Sequence, residues 1–213
     1  MMATTHALVG VALAVLVGTV FPGSAAGTSM APLVAAAVGG FFPDLDLYSG
    51  HRRTLHFPVY FNVAAAVAAV GAVVATAFVP SLGLAAASVA LFLIAAGVHS
   101  AMDAVGGGLE LKPWLAESDR AVYSHHHARW IRPRRWVRYD GAPEDLLVAA
   151  AVAAPVVYTV DGVIETGVLV AVGISVVYVL VRKPMVVVTQ AAIDALPNRI
   201  VDRLPTRFVG DFR

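Results

Sequence analysis

The sequence predicts an all-α integral membrane bundle of about six helices, and three observations carry that reading. Of the 213 residues, 59% are hydrophobic and only 14% charged, where an average soluble domain has about 25% charged residues. The mean hydropathy is +0.77. The apolar residues fall in runs approaching the roughly 20 residues that cross a hydrocarbon layer, and Pro, Gly and polar breaks separate them. There is no cysteine, so disulfides and thiolate metal sites are excluded and any metal must be held by His, Asp or Glu.

Each element follows from its own signals. The first span is expected from about Thr5 to Phe21, ended by Pro22-Gly23. No basic stretch precedes it, so it reads as a retained helix rather than a cleaved signal peptide. The second, Ala31 to Phe42, is short for a span and either begins nearer Gly27 or sits tilted among its neighbours. Pro43 ends it. The third, Pro58 to Val79, opens on a proline suited to a first helical turn. The fourth, Leu82 to Val105, is ended by Gly106-Gly107-Gly108, a triplet without the Lys-Ser/Thr of a phosphate loop. The fifth is expected from Asp145 to Val160 and the sixth from Gly167 to Val181, separated by Asp161-Gly162. Alanine triplets such as Ala64-Ala65-Ala66 let helices approach closely, where lipid gives no hydrophobic drive to pack. The chain divides into a helical bundle, 1–182, carrying a long basic loop, 106–144, and an amphipathic tail, 183–213, broken at Pro197 and Pro205.

Threading these spans through a bilayer sorts the charge. All fifteen Lys and Arg residues, from Arg52 to Arg213, fall on one side, together with all seven histidines. By the positive-inside rule that side is cytoplasmic, which predicts a multi-pass inner-membrane protein with both termini on the cytoplasmic face. The overall charge of +1 hides this asymmetry.

The same face collects the polar residues that carry chemistry. His99 and Asp103 are four apart at the end of the fourth span, so on a helix they share one face and can bind one ion, unless Asp103 only orients His99. Asp44 and Asp46 flank Leu45 directly after Pro43, in a stretch read as non-helical, where alternate residues can point the same way. Taken alone they fit capping and solvation at a membrane surface as well as they fit a site. His51 and His56 stand just before Pro58, and His6 follows Thr4-Thr5, residues suited to capping the first helix. Isolated ionisable groups beside a bilayer are expensive. Four helix ends that deliver His or Asp to one interface point to a shared cation, and imidazole with carboxylate suits zinc, with manganese or iron as alternatives.

The fragments Thr5-His6-Ala7-Leu8, Phe42-Pro43-Asp44-Leu45-Asp46, His51-Arg52 through His56, and His99-Ser100-Ala101-Met102-Asp103 followed by Lys112-Pro113-Trp114 resemble, in order and spacing, the YdjM-like family of membrane-bound metal-dependent hydrolases. The resemblance covers about residues 1–115. It implies an all-helical membrane protein with distant similarity to the phospholipase C and P1 nuclease fold, and marks His6, Asp44, Asp46, His51, His56, His99 and Asp103 as the metal site. The chain departs from the pattern at Leu47, Leu55 and Phe57, where family members often carry His, Thr and Ser, so the hydrogen bonds around the ligands must differ.

For a hydrolase, bound metal would activate water and a carboxylate would take the proton, with Asp46 and Asp103 as the candidates. Arg52, between the two histidines, is a candidate phosphate clamp. The 106–144 loop interleaves His125, His126 and His127 with Trp130, Arg132, Arg134, Arg135 and Trp136. It reads as an anchor to anionic lipid headgroups or as a binder of a phosphate-bearing substrate, with at most one or two of the three histidines as ligands. The expected partners are membrane lipids and a small-molecule or lipid substrate, not nucleic acid; the oligomeric state is open. Two functions follow from this reading. The first is a metal-dependent hydrolase of a phosphoester or lipid-like substrate. The alternative is a non-catalytic membrane protein, a transporter or assembly factor, with a structural metal or polar network. The apolar interiors of spans three to six weigh against transport.

Overall fold

The computed structural model describes residues 1–22 and 29–204. The turn expected at Gly23 and the tail residues Pro205, Arg207 and Arg213 lie outside the described residues. The fold is an all-α bundle: α1 (Ala3–Val20), α2 (Met30–Phe41), α3 (Tyr60–Phe78), α4 (Pro80–Met102), α5 (Pro143–Val157), α6 (Val163–Asp194) and the single turn α7 (Asn198–Val201). Among the described residues, five stretches are long and apolar enough to cross a membrane: α1, Met30–Leu47, α3, α4 and α6. The remaining long helix, α5, has only 15 residues, about 22 Å. It still runs to the far end of the bundle, where Thr159 to Asp161 lie beside Met30 and Leu33 at the start of α2.

The first helix is the axis of the bundle. Its Leu8, Val11, Ala14 and Val15 pack with Leu33 and Ala36 of α2, Leu91 of α4, Ala149, Ala153 and Val156 of α5, and Val168 of α6. Glycines set the closest approaches of α2 to its neighbours. A Cβ on Gly10 would overlap the Ala36 carbonyl, one on Gly39 the Phe92 backbone of α4, and one on Gly40 the His6 carbonyl of α1. By contrast α3 packs on α4, buries only Ala65 and Ala72, and leaves Val67, Val70 and Val73 exposed, as a lipid-facing helix does.

Four details depart from the sequence expectations. The stretch after Pro43 is a 3-10 turn over Phe42–Tyr48, so residues three apart, not two apart, share a face. Pro58 lies before α3 rather than inside its first turn, and its carbonyl accepts a hydrogen bond from Asn62 Nδ2. The basic loop contains an antiparallel hairpin, β1 (Val122–Ser124) and β2 (Arg129–Ile131), with Tyr123 opposite Trp130. Finally, α6 continues past Val181 to Asp194 with Pro184 inside it. A proline removes one backbone donor, but here buried Arg182 and Val186 anchor the helix on both sides of it.

Candidate metal centre

At one end of the bundle the start of α1, the turn after α2, the approach to α3 and the end of α4 converge. Asp44, His56, His99 and Asp103 each offer one ligand atom, and these atoms all lie within 4.8 Å of one another. This buried group can hold a metal ion. The side chains of His56, His99 and Asp103 are 0–2% exposed, while Asp44 retains 19%.

Hydrogen bonds fix which imidazole nitrogens face the cluster. His99 Nδ1 donates to the Gly40 carbonyl at 2.6 Å, an acceptor without a proton, so Nε2 carries the lone pair. That atom has no hydrogen-bond partner and lies 3.4 Å from Asp44 Oδ1 and 3.6 Å from Asp103 Oδ2. His56 Nδ1 donates to Asp46 Oδ2 at 3.0 Å, which turns Nε2 toward Asp103 Oδ2 at 3.1 Å. His56 Nε2 thus donates to Asp103, and the His99 Nε2 lone pair faces two carboxylates across a few ångströms. Acceptors so placed repel unless a cation or protons stand among them. A proton on His56 fills part of that role: burial disfavours the charged imidazole, but hydrogen bonds to Asp103 and Asp46 outweigh it and raise its pKa.

His6 completes one wall. Its ring stacks on His99 with centroids 3.7 Å apart, and Nε2 lies 3.4 Å from Asp103 Oδ1 without hydrogen-bond geometry. Neither ring nitrogen has a hydrogen-bond partner although the residue is buried, a rare arrangement that an ion would satisfy. The neighbouring Thr5 sets the position of this ring: its hydroxyl donates to buried Asp145 of α5 at 2.8 Å, and the Met2 amide donates to the same carboxylate at 2.7 Å.

The remaining sequence candidates surround the four. Asp46 is close by, but both its oxygens are occupied: Oδ1 by His51 Nδ1 and the Arg52 amide, Oδ2 by the Leu55 amide and His56. It organises the 51–56 loop and orients the His56 ring rather than facing the cluster. His51, bonded to Asp46 with its side chain 22% exposed, stands one layer out. Arg52 is turned inward instead of presenting a phosphate clamp. Its Nε lies 3.5 Å from Asp103 Oδ2, and Nη1 donates to the Gly107 carbonyl at 2.8 Å. The residue adopts φ 59°, a strained conformation for a non-glycine, which these contacts and the hydrogen bond its backbone N–H donates to Asp46 hold in place.

The three consecutive histidines do not join the group. His125 stacks on Phe57 at 4.5 Å and its Nε2 bonds the Arg53 carbonyl, while the Tyr123 amide bonds the Arg52 carbonyl. His126 and His127 are exposed at the hairpin turn. The hairpin thus braces the loop that carries His56. Sequence reasoning missed the carbonyls of Gly40 and Gly107, since main-chain acceptors leave no signature in residue type. The Gly39-Gly40 pair was the available clue to a close approach.

Because Asp46 works through His56, the Asp46→Asn variant is expected to weaken metal binding by about 10- to 100-fold, the range for residues that orient ligands. Competition against a chromophoric chelator measures this. An unchanged affinity would remove Asp46 from its orienting role.

Comparison with protein-family models, with curated proteins and with solved structures gives no match, so the reading of the site rests on its own chemistry.

Proposed function

We propose that this protein is a membrane-bound metal-dependent hydrolase acting on a phosphoester or lipid-like substrate at the cytoplasmic membrane face. The observation that carries the reading is the convergence of Asp44, His56, His99 and Asp103, with His99 Nε2 facing both carboxylates but without a hydrogen-bond partner. The resemblance of these motifs to the YdjM-like hydrolases supports it, and the one-sided distribution of Lys and Arg supports the orientation.

Zinc is the preferred ion for this nitrogen and oxygen set, with manganese or iron as alternatives. When bound, it would supply Lewis acidity and lower the pKa of water. The chain's own residues do the rest. The Gly40 carbonyl holds His99 in the ligating tautomer, and Asp46 orients the His56 ring. Asp44 is the most open of the four and keeps Oδ1 against His99, leaving Oδ2 to accept a proton from attacking water. Of the two carboxylates first considered as base, Asp46 has both oxygens engaged and Asp103 faces Arg52, His6, His56 and His99. Asp44 is better placed than either.

A structural ion is the second reading, and the near-complete enclosure of His56, His99 and Asp103 favours it. One assay separates them. Protein in phosphatidylcholine nanodiscs is incubated with bis-p-nitrophenyl phosphate and with phosphatidic acid, as purified, after chelation, and after return of zinc or manganese. Hydrolysis is expected to vanish on chelation, return with metal, and fall by about 100-fold or more in Asp44→Asn, the scale of a lost general base. Metal that binds and stabilises without any turnover would leave the structural reading.

A further inference from the structure

The metal centre sits at one end of an apolar groove that it does not use. Between α1, α2 and α6 lies a cavity of about 210 Å³ whose walls include Ala7, Val11, Val34, Val38, Gly167 and Ala171. Its lining is apolar and it lies within three of the stretches able to cross a membrane. We propose that this groove holds an acyl chain of an amphiphilic phosphoester whose headgroup lies at the metal centre, an inference that rests on reading that centre as hydrolytic.

Shape selects a chain over a helix. The α6 wall runs from Val163 to Ala171, about 12 Å at the helical rise. A cavity of about 210 Å³ along that wall admits a slender apolar chain and is far too small for a second α-helix, about 10–12 Å across. Continuity selects the direction. On the α1 and α6 side the groove is closed just beyond Ala7 and Ala171 by a 2.7 Å hydrogen bond between Thr4 and Ser175. On α2, Val34 and Val38 continue at helical spacing into Phe41, all three exposed. Within the 3-10 turn that follows, the residue three beyond Phe41 is Asp44. One stripe therefore leads from the groove to the least enclosed of the four ligands. From Val38 to Asp44 the rise is about 10 Å, a gap for the polar linkage between a phosphate and its chain.

Gly167 supplies a clean perturbation, because a Cβ there meets nothing within 4 Å. Gly167→Leu can fill the groove without disturbing the backbone. Gly173, also with open surroundings but outside the groove, supplies the matched control as Gly173→Leu. The probe is phosphatidic acid with a diazirine at its acyl terminus, in phosphatidylcholine nanodiscs, with labelled peptides mapped by mass spectrometry. Labelling is expected to concentrate on the groove walls, to fall by about tenfold in Gly167→Leu, for which 1.4 kcal/mol of lost contact suffices, and to persist in Gly173→Leu. Labelling spread evenly over all lipid-facing helices, or unaltered by Gly167→Leu, overturns the proposal. Metal content of the same preparations keeps the two readings apart. A failed groove leaves the metal bound, whereas a labelled groove in a chain that binds no metal overturns the placement of the headgroup.

Discussion

His99→Ala is expected to abolish stoichiometric binding of a divalent ion, with affinity falling by well over the roughly 100-fold that loss of an orienting residue costs. The reason is geometric. His99 Nε2 lies between Asp44 and Asp103, at 3.4 and 3.6 Å, so its removal takes away the nitrogen that links the two carboxylates. The same substitution also strips the stacking partner from His6. Elemental analysis of purified protein, with calorimetric titration of zinc into the chelated form, reads the effect. Metal content equal to wild type would move the ion elsewhere.

His99 is a cleaner choice for that experiment than Asp103. The Asp103 carboxylate faces Arg52, His6, His56 and His99, so deleting it leaves a buried guanidinium without its counter-charge, a change that is itself strongly destabilising. A lost metal in Asp103→Ala would be confounded with a lost fold. In His99→Ala no guanidinium is stranded, and the change at the end of α4 is a cavity and a Gly40 carbonyl without its donor, so far-ultraviolet circular dichroism is expected to stay near wild type.

How much of this was legible in the sequence depends on the kind of signal. The spans were legible because apolar runs of near-bilayer length have few alternatives once charge is scarce. His99 and Asp103 were legible as a pair because helical spacing alone puts them on one face. Asp44 and Asp46 were found as candidates but not told apart. That distinction depends on the 3-10 turn, which sends Asp44 toward His99 and Asp46 toward His51 and His56, and nothing in Phe-Pro-Asp-Leu-Asp fixes the turn in isolation. Arg52 read as a candidate phosphate clamp, since flanking histidines say nothing about a positive φ that turns its side chain toward Asp103. The run past Pro184 was misjudged for a related reason: a proline ends a helix unless tertiary contacts on both sides outweigh the missing donor.

Those contacts lead to the second large effect, expected in Asp140→Ala. Arg182 of α6 is held by Asp140, through Nε to Oδ2 at 2.9 Å and Nη2 to Oδ1 at 3.3 Å, while Tyr178 donates to Oδ2 at 2.6 Å. The guanidinium also bonds the Leu111 carbonyl and lies 5.6 Å from the Trp114 ring. This group ties α6 to the loop that leads into α5, and so supports Asp145, to which Gly141 donates. Removing Asp140 leaves a largely buried cation with only a carbonyl, the tyrosine and the ring around it. For fully enclosed pairs such a deletion costs about 3–5 kcal/mol. Because the Asp140 side chain keeps 25% exposure, about 2–4 kcal/mol is expected here, or roughly 5–15 °C in Tm for a chain of this size. Pairing Asp140→Ala with Arg182→Met should recover part of the loss, since the stranded charge is then gone. The pH dependence has a defined sign. Burial alone would raise the Asp140 pKa, but Arg182 and Tyr178 hydrogen bonds lower it overall, so its stabilisation is complete above the ordinary carboxylate pKa and is lost as pH falls through the depressed one. Thermal unfolding in detergent, followed by tryptophan fluorescence with Trp114 beside the pair, measures both. An Asp140→Ala protein as stable as wild type at neutral pH would show that α6 is held by its apolar contacts alone.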